Sequence, residues 1–228
     1  MLHDVGRFEQ IKRYNTFSDA DSVDHAKFGA DLLFKDGLIS TFLKGMVKCT
    51  GYKPGALEDR YDSDGVFLYD RLNKSDMEML ELSIRCHNMY RIPQGLNRRE
   101  QAFCNVLRDA DKVDIFKVNI DTPLEEIYNT TTEELMKSDI TDEVLKAFDE
   151  EHCILKAIRR TPADTVIGHV SLAYELVYDE SVRITVEQGY LAKLMHFHSD
   201  NEETNRKMAM VRDKMDSYVK KRIGEKYA

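Results

Sequence analysis

Residues 97–116 read NRREQAFCNVLRDADKVDIF and contain neither proline nor glycine. The apolar residues of this stretch recur at intervals of three and four, so they fall on one face of an α-helix. They are Phe103, Val106, Leu107, Ala110, Val113 and Phe116. Asn97 stands in front of them as a typical helix N-cap. The stretch therefore predicts one strong amphipathic helix. Similar apolar patterns in other parts of the chain predict further helices.

The composition also favours helices, because only four prolines and eleven glycines interrupt 228 residues. Further helices are predicted over Val23–Lys35 (capped by Ser22 and ended by Gly37), Leu38–Lys48, Ser75 to about Pro93, Pro162–Val177, Glu180–Phe197 and Glu202–Ile223, with a loop over Thr50–Gly65. Thr131 and Thr141 each precede acidic residues, which predicts two short capped helices. We expect an all-α protein with a helical core over residues 1–120 and a helical extension, residues 121–228, packed on it.

The charge balance limits the partners of the chain. Forty-one acidic and thirty-three basic residues give a formal net charge of -8, which repels a nucleic-acid backbone. General nucleic-acid binding is therefore not expected, whereas a pocket for one small phosphorylated molecule is. No apolar stretch reaches the roughly 18–20 residues of a membrane span, and the N-terminus lacks a signal-peptide pattern. These features predict a cytoplasmic protein without a membrane partner.

Several common catalytic motifs are missing from the sequence. It contains no glycine-rich phosphate loop, no nucleophile elbow and no C-x-x-C pair, and its four cysteines read as reduced thiols. The remaining candidates are histidines and aspartates on apolar helical faces: His3, Asp4, His25, His87 and Asp111. Imidazole and carboxylate groups at inward-facing helix positions suit a divalent transition metal. His25 is equally compatible with a helix-start histidine bonded to Asp24.

The blocks around these residues resemble the HD-domain metal-dependent phosphohydrolases. The blocks are Leu2-His3-Asp4-Val5-Gly6-Arg7, Asp24-His25-Ala26, Ile84-Arg85-Cys86-His87-Asn88 and Arg108-Asp109-Ala110-Asp111-Lys112. Their order and spacing match the family over roughly residues 1–118. The resemblance implies an HD-type helical bundle with additional C-terminal helices.

The resemblance also implies a ligand set for one or two ions of manganese, iron, cobalt, nickel or zinc. His3, Asp4 and Asp111 would hold a first ion, while His25 and His87 would lie near a second ion that Asp4 bridges. The family's first histidine, on a preceding helix, has no counterpart in this numbering. Asn88 stands where two-metal cyclic-dinucleotide phosphodiesterases of the superfamily often have a histidine, which argues against that activity.

The implied reaction is hydrolysis of a small phosphomonoester, nucleotide or phosphodiester by a metal-activated water. Asp4 and Arg7 are the predicted catalytic residues, and Arg7, Arg91 and Lys112 the predicted phosphate contacts. Two alternatives stay open: a di-iron oxygenase of the HD type, and a degenerate module that binds a nucleotide or a protein partner without turnover. A homodimer is a further expectation.

Four other residues receive separate predictions. Glu9 and Asp24 are candidates for carboxylates that orient a ligating imidazole or act in acid/base catalysis. Asp109 is expected to be solvated or paired with a neighbouring cation, and His169 is expected to be a core or pocket-edge histidine.

Overall fold

The computed structural model describes residues 2–42 and 74–224, and every regular element in these residues is helical. The α-helices are α1 (Val5–Tyr14), α2 (His25–Ala30), α3 (Lys74–Cys86), α4 (Arg98–Asp121), α5 (Leu124–Tyr128), α6 (Thr132–Lys137), α7 (Asp142–Phe148), α8 (Pro162–Val170), α9 (Asp179–Gln188), α10 (Tyr190–Met195) and α11 (Glu202–Ile223). A π-helical turn, Asp31–Lys35, continues α2, and 3-10 turns span Leu2–Asp4, Lys156–Ile158 and Ser171–Glu175. The all-α class is confirmed.

The chain forms two compact units, residues 1–107 and residues 108–228, and the division falls within α4. The predicted division between residues 120 and 121, with one part packed on the other, stays a prediction. In the described parts of the chain, no helix is both long enough and apolar enough to cross a membrane.

The first unit has a small apolar core and a close contact between two helices. Its buried members are Ala30, Leu33, Ile39 and Ile84, against which Leu2, Val5, Phe34, Met77, Leu80 and Leu107 pack. Gly6 of α1 and Gly29 of α2 allow the two backbones to touch, since a Cβ on Gly6 would lie 2.2 Å from the His25 carbonyl oxygen. Only glycine fits there, and this contact brings the start of α1 against the start of α2.

The second unit has the larger core, which is built around α8. Its largest fully buried side chains are Phe116, Leu135, Ile140, Phe148, Ile154, Ile167, Leu176, Met208 and Met215. The predicted caps at Thr131 and Thr141 are confirmed, because their hydroxyl groups accept the backbone N–H groups of Glu134 and Val144. Each cap begins a short helix that contributes to this core.

Several predicted helix boundaries were wrong. Helix α2 begins at His25 and is capped by Asp24, not Ser22, since the Asp24 carboxylate accepts the N–H groups of Ala26 and Lys27. Helix α3 ends at Cys86, well before Pro93, and the helix predicted over Pro162–Val177 tightens into a 3-10 turn after Val170.

The helix predicted over Glu180–Phe197 is also two helices, because Gly189 has a left-handed backbone conformation (φ 71°) that ends the first of them. The predicted loop over Thr50–Gly65, and Leu38–Lys48 beyond residue 42, lie outside the described residues.

Candidate metal centre

The backbone contact between α1 and α2 positions the side chains of a candidate metal centre in the first unit. His3 and Asp4 lie in the 3-10 turn that leads into α1, and His25 is the first residue of α2. His87 directly follows the last residue of α3. Three separate parts of the sequence are therefore brought together at the ends of neighbouring elements.

Three of these side chains converge on one point. Nε2 of His25 lies 3.1 Å from Nε2 of His87. Oδ1 of Asp4 lies 3.5 Å from the first nitrogen and 3.7 Å from the second. The His25 and His87 side chains are 5% and 1% exposed, whereas the Asp4 side chain is 42% exposed. The cluster is thus closed on the imidazole side and open to solvent at the carboxylate.

The hydrogen bonds behind the two imidazoles determine which nitrogens carry protons. Nδ1 of His87 lies 2.7 Å from the carbonyl oxygen of Ile84, which only accepts, so this nitrogen must donate. Nδ1 of His25 donates in the same way to Oδ2 of Asp19, at 2.7 Å. When both rings are neutral, both Nε2 atoms are acceptors that face each other beside a carboxylate. Either a bound cation or a further proton on one ring satisfies this arrangement.

The spacing of the three atoms fits a metal ion. A point equidistant from Nε2 of His25, Nε2 of His87 and Oδ1 of Asp4 lies about 2.0 Å from each of them in their plane, close to the usual ~2.0–2.2 Å of metal–imidazole and metal–carboxylate bonds. The donor set, two imidazoles and a carboxylate with their outer nitrogens fixed by hydrogen bonds, is also what transition metals select.

His3 adds a further imidazole to this cluster. Its Nε2 lies 3.2 Å from Oδ2 of Asp4, and its ring meets the ring of His87 edge to face with centroids 4.8 Å apart. His3, Asp4 and His87 can place one donor atom each within 4.8 Å of one another. The structure therefore brings together four of the five predicted metal ligands.

The electrostatics of Asp4 favour its ionised form. Burial alone would raise the pKa of this carboxyl group, but hydrogen bonds and the charges of His3 and His87 outweigh burial and hold the pKa well below its usual range. Asp4 is consequently a carboxylate, the form that ligates a metal.

Asp19 is the residue that sequence reasoning missed. Besides accepting from His25, it accepts hydrogen bonds from the Arg7 guanidinium and the Gln10 amide through Oδ1, and Gln10 is completely buried. Burial tends to raise the pKa of Asp19, but the hydrogen bonds from His25 and Gln10 lower it well below its usual value. Asp19 lies in a loop with no periodic pattern, so only its position six residues before His25 pointed towards it.

The two carboxylates predicted to orient an imidazole have other contacts. Glu9 forms surface ion pairs with Lys12 and Arg13. Asp24 caps α2 and accepts the Asn88 amide at 3.0 Å. The hydrogen-bonded carboxylate behind His25 is Asp19, so the predicted choice of Glu9 and Asp24 was wrong.

A second group that could hold an ion consists of Asp19, Asp24 and His25. Its donor atoms already have partners: Nδ1 of His25 donates to Asp19, and Asp24 accepts two backbone N–H groups and the Asn88 amide. This group therefore serves as the hydrogen-bonded support of the first cluster.

Arg7 is engaged by the loop that carries Asp19. Its Nη1 donates to the Phe17 carbonyl oxygen at 2.5 Å, to Asp19 at 2.9 Å and to the Gln10 side chain at 3.2 Å. Arg7 thus fastens the loop after α1 to that helix. Its role as a phosphate contact stays a prediction.

The remaining predicted site residues are Arg91, Asp111 and Lys112. Arg91 is exposed, with its guanidinium carbon 5.2 Å from the centroid of the Tyr90 ring. Lys112 and Asp111 belong to α4 in the second unit, where Lys112 is only 6% exposed. Their predicted roles in phosphate and metal binding stay predictions.

Asp109 of the last block is not solvated, as one part of its prediction had it. It is 1% exposed, and its carboxylate accepts the backbone N–H groups of Val177 and Tyr178 at 3.0 Å. This aspartate joins α4 to the segment that begins α9.

Comparison of the chain with protein-family models, with curated proteins and with solved structures found no match. The function is therefore argued from the cluster itself.

Proposed function

We propose that this chain is a metal-dependent phosphohydrolase whose metal is held by His25, His87 and Asp4, with His3 as a further ligand. The observation that carries the proposal is the 3.1 Å approach of two imidazole Nε2 atoms beside a carboxylate, with the outer nitrogen of each ring already engaged in a hydrogen bond. A divalent transition metal satisfies all three donors at once.

The bound ion would lower the pKa of a coordinated water and polarise a phosphoryl oxygen, as hydrolysis of a phosphate ester requires. The protein contributes the rest. Asp19 and the Ile84 carbonyl fix the rings of His25 and His87 with Nε2 turned inwards. The exposed carboxylate of Asp4 marks the side from which a substrate and a water reach the centre.

His3 bonds to the same carboxylate and is a candidate further ligand. Two imidazoles and one carboxylate are also the ligand set of many non-haem iron oxygenases, so the activity assay distinguishes hydrolysis from the iron-oxygenase alternative.

The test begins with elemental analysis of protein purified without chelator, in parallel with His25→Ala, His87→Ala and the control His152→Ala. His152 is a surface histidine paired with Glu150, so its loss leaves the cluster intact. We expect a transition metal in the wild-type and control proteins and at least a tenfold loss of metal affinity in the other two.

The metal-loaded protein is then assayed on a panel of phosphomonoesters, nucleotides and phosphodiesters. Phosphate release that requires His25 and His87 would support the proposal. A metal-loaded protein that releases no phosphate but consumes oxygen would indicate the oxygenase. One that only binds nucleotide in a calorimetric titration would indicate the degenerate module.

A further inference from the structure

The second unit contains a partly buried guanidinium for which the helix beside it leaves space. Arg159 follows the 3-10 turn Lys156–Ile158 and lies directly over Gly168, in the middle of α8. A Cβ on Gly168 would lie 2.3 Å from both Nε and Cζ of Arg159. Glycine inside a helix is less favourable than alanine, and here its absence of a side chain accommodates the arginine.

The charge of Arg159 is not balanced by a carboxylate. Among the described residues, its guanidinium makes one hydrogen bond, from Nη2 to the Ile154 carbonyl oxygen at 2.5 Å, and its Nε is buried without an acceptor. Burial lowers the pKa of Arg159, and Cys153 and Asp164 oppose this effect. The oxygens of Asp164, however, already accept the N–H groups of Thr141, Arg160 and Thr161. An arginine stays charged at any ordinary pH, so burial without a counter-charge is unfavourable.

His169, the next residue after Gly168, is a second polar group without a partner. Its Nδ1 is buried and has no hydrogen-bond partner among the described residues, and its ring lies 5.6 Å from the ring of Tyr128. Burial, with a smaller contribution from the charges of Arg159 and Lys156, lowers the pKa of His169 to about 3. The ring is therefore neutral near pH 7 and can donate one N–H.

Lys112 is another buried cation of the same unit. It is 6% exposed, its Nζ makes one long contact of 3.4 Å to the Arg108 carbonyl oxygen, and no carboxylate lies within ion-pair distance in the described part of the chain. The charges of Arg159 and Lys112 both act on the thiol of Cys153, where they oppose the rise in pKa that burial causes. Cys153, Arg159 and His169 all keep partial exposure, so this region reaches the surface.

We propose that Arg159 and His169 form a binding site for a small oxyanion of the phosphate class, with Lys112 contributing further positive charge from the same unit. An oxyanion would supply the missing counter-charge, an acceptor for the orphaned Nε of Arg159 and an acceptor for the His169 ring. The planar guanidinium matches the paired oxygens of phosphate, and its position over Gly168 is already fixed. All three residues belong to the second unit, and the inference is argued without the proposed hydrolase activity.

The experiment measures phosphate binding to the full chain after chelator treatment, which removes metal-dependent phosphate binding in the first unit. Thermal denaturation and calorimetric titration are run with inorganic phosphate and, separately, with glycerol 3-phosphate, at constant ionic strength set by chloride. The variants are Arg159→Met and the control Arg160→Met. Arg160 is exposed and reaches Glu143 at 3.5 Å.

We expect phosphate to raise the melting temperature of the wild-type and Arg160→Met proteins, and the Arg159→Met variant to lose at least tenfold in phosphate affinity. Binding of inorganic phosphate alone would identify the free ion as the occupant, and binding of both probes would identify the phosphate group of a metabolite as well. Both results support the site.

The absence of a phosphate effect in the wild-type protein would overturn the proposal, as would equal phosphate affinity in the Arg159→Met variant. If the Arg159→Met variant is more stable than the wild type in every buffer and its melting temperature does not change with phosphate, Arg159 is only an unpaired structural charge. If Arg159→Met does not fold, the ring nitrogen resonances of His169 in the wild-type protein decide the question. They must shift on phosphate addition, and unchanged resonances would overturn the site.

Discussion

Asp19 accepts a hydrogen bond from Nδ1 of His25 at 2.7 Å, while the opposite nitrogen of the same ring lies 3.1 Å from His87. One imidazole therefore connects a carboxylate on one side to the candidate metal position on the other. A carboxylate in this position fixes the ring, selects the tautomer and increases the basicity of the ligating nitrogen. Asp19 is thus a positioning residue for the centre.

We predict that Asp19→Asn lowers metal affinity by roughly 10- to 100-fold, because the neutral amide supports the His25 ring less well. Competition with a chromophoric chelator measures the change. The absorption spectrum of the cobalt-substituted protein should shift too, which a distant structural defect would not cause. Glu9→Gln is the control, since Glu9 pairs with Lys12 and Arg13 on the surface. Equal losses of affinity in both variants would contradict the role of Asp19.

The contact between Gly6 and Gly29 predicts a coupling between packing and metal binding. A methyl group at position 6 would lie 2.2 Å from the His25 carbonyl oxygen and 2.8 Å from the Gly29 nitrogen, and neither backbone atom can move without moving α2. We expect Gly6→Ala to cost about 1–3 kcal/mol of stability or more, and to weaken metal binding by displacing His25.

Urea denaturation and metal titration of the same samples test the prediction on Gly6. Lys12→Ala, a change on the exposed face of α1, serves as the control. A Gly6→Ala protein with wild-type stability and wild-type metal affinity would show that the two helices can separate freely.

The residues of the candidate site could be predicted from sequence only where a side chain has an intrinsic preference for metals. His3, Asp4, His25 and His87 were recognised by type and helical context, and the structure brings them together. Asp19 could not be recognised, because its partner is determined by the tertiary course of a loop. The same holds for the cap of α2, where Ser22 and Asp24 are both competent caps and only packing selects Asp24.

Asp109 shows a different limit of sequence reasoning. A charged residue in a helix is usually solvated, so the pattern around Asp109 predicted exposure. The partners that justify its burial, the N–H groups of Val177 and Tyr178, are backbone groups distant in sequence and carry no side-chain signal. Backbone hydrogen bonds of this kind are visible only in the folded structure.

We predict that Asp109→Ala destabilises the protein by about 1–3 kcal/mol for each backbone N–H group left unpaired. Asp109→Asn should cost less, because the amide oxygen can still accept one or both bonds. Equilibrium unfolding in urea measures these differences. Asp114→Ala, on an exposed position of the same helix, is the matched control and should change stability little. Comparable losses at both positions would indicate a general effect of charge removal on α4.

The buried ring of His169 predicts a specific acid sensitivity. Its pKa is about 3 in the folded protein, mainly because of burial, and 6.5 is the ordinary value that the unfolded chain recovers. Between these values the unfolded state binds a proton that the folded state does not, so stability falls as the pH falls from 6.5 towards 3. From pH 7 to pH 5 this group accounts for a loss of up to about 2 kcal/mol in the free energy of unfolding.

His169→Gln should remove that part of the loss in the free energy of unfolding, whereas the surface variant His152→Gln should retain it. Urea denaturation across this range provides the measurement, and identical pH profiles for wild type and His169→Gln would show that the ring is protonated in the folded state.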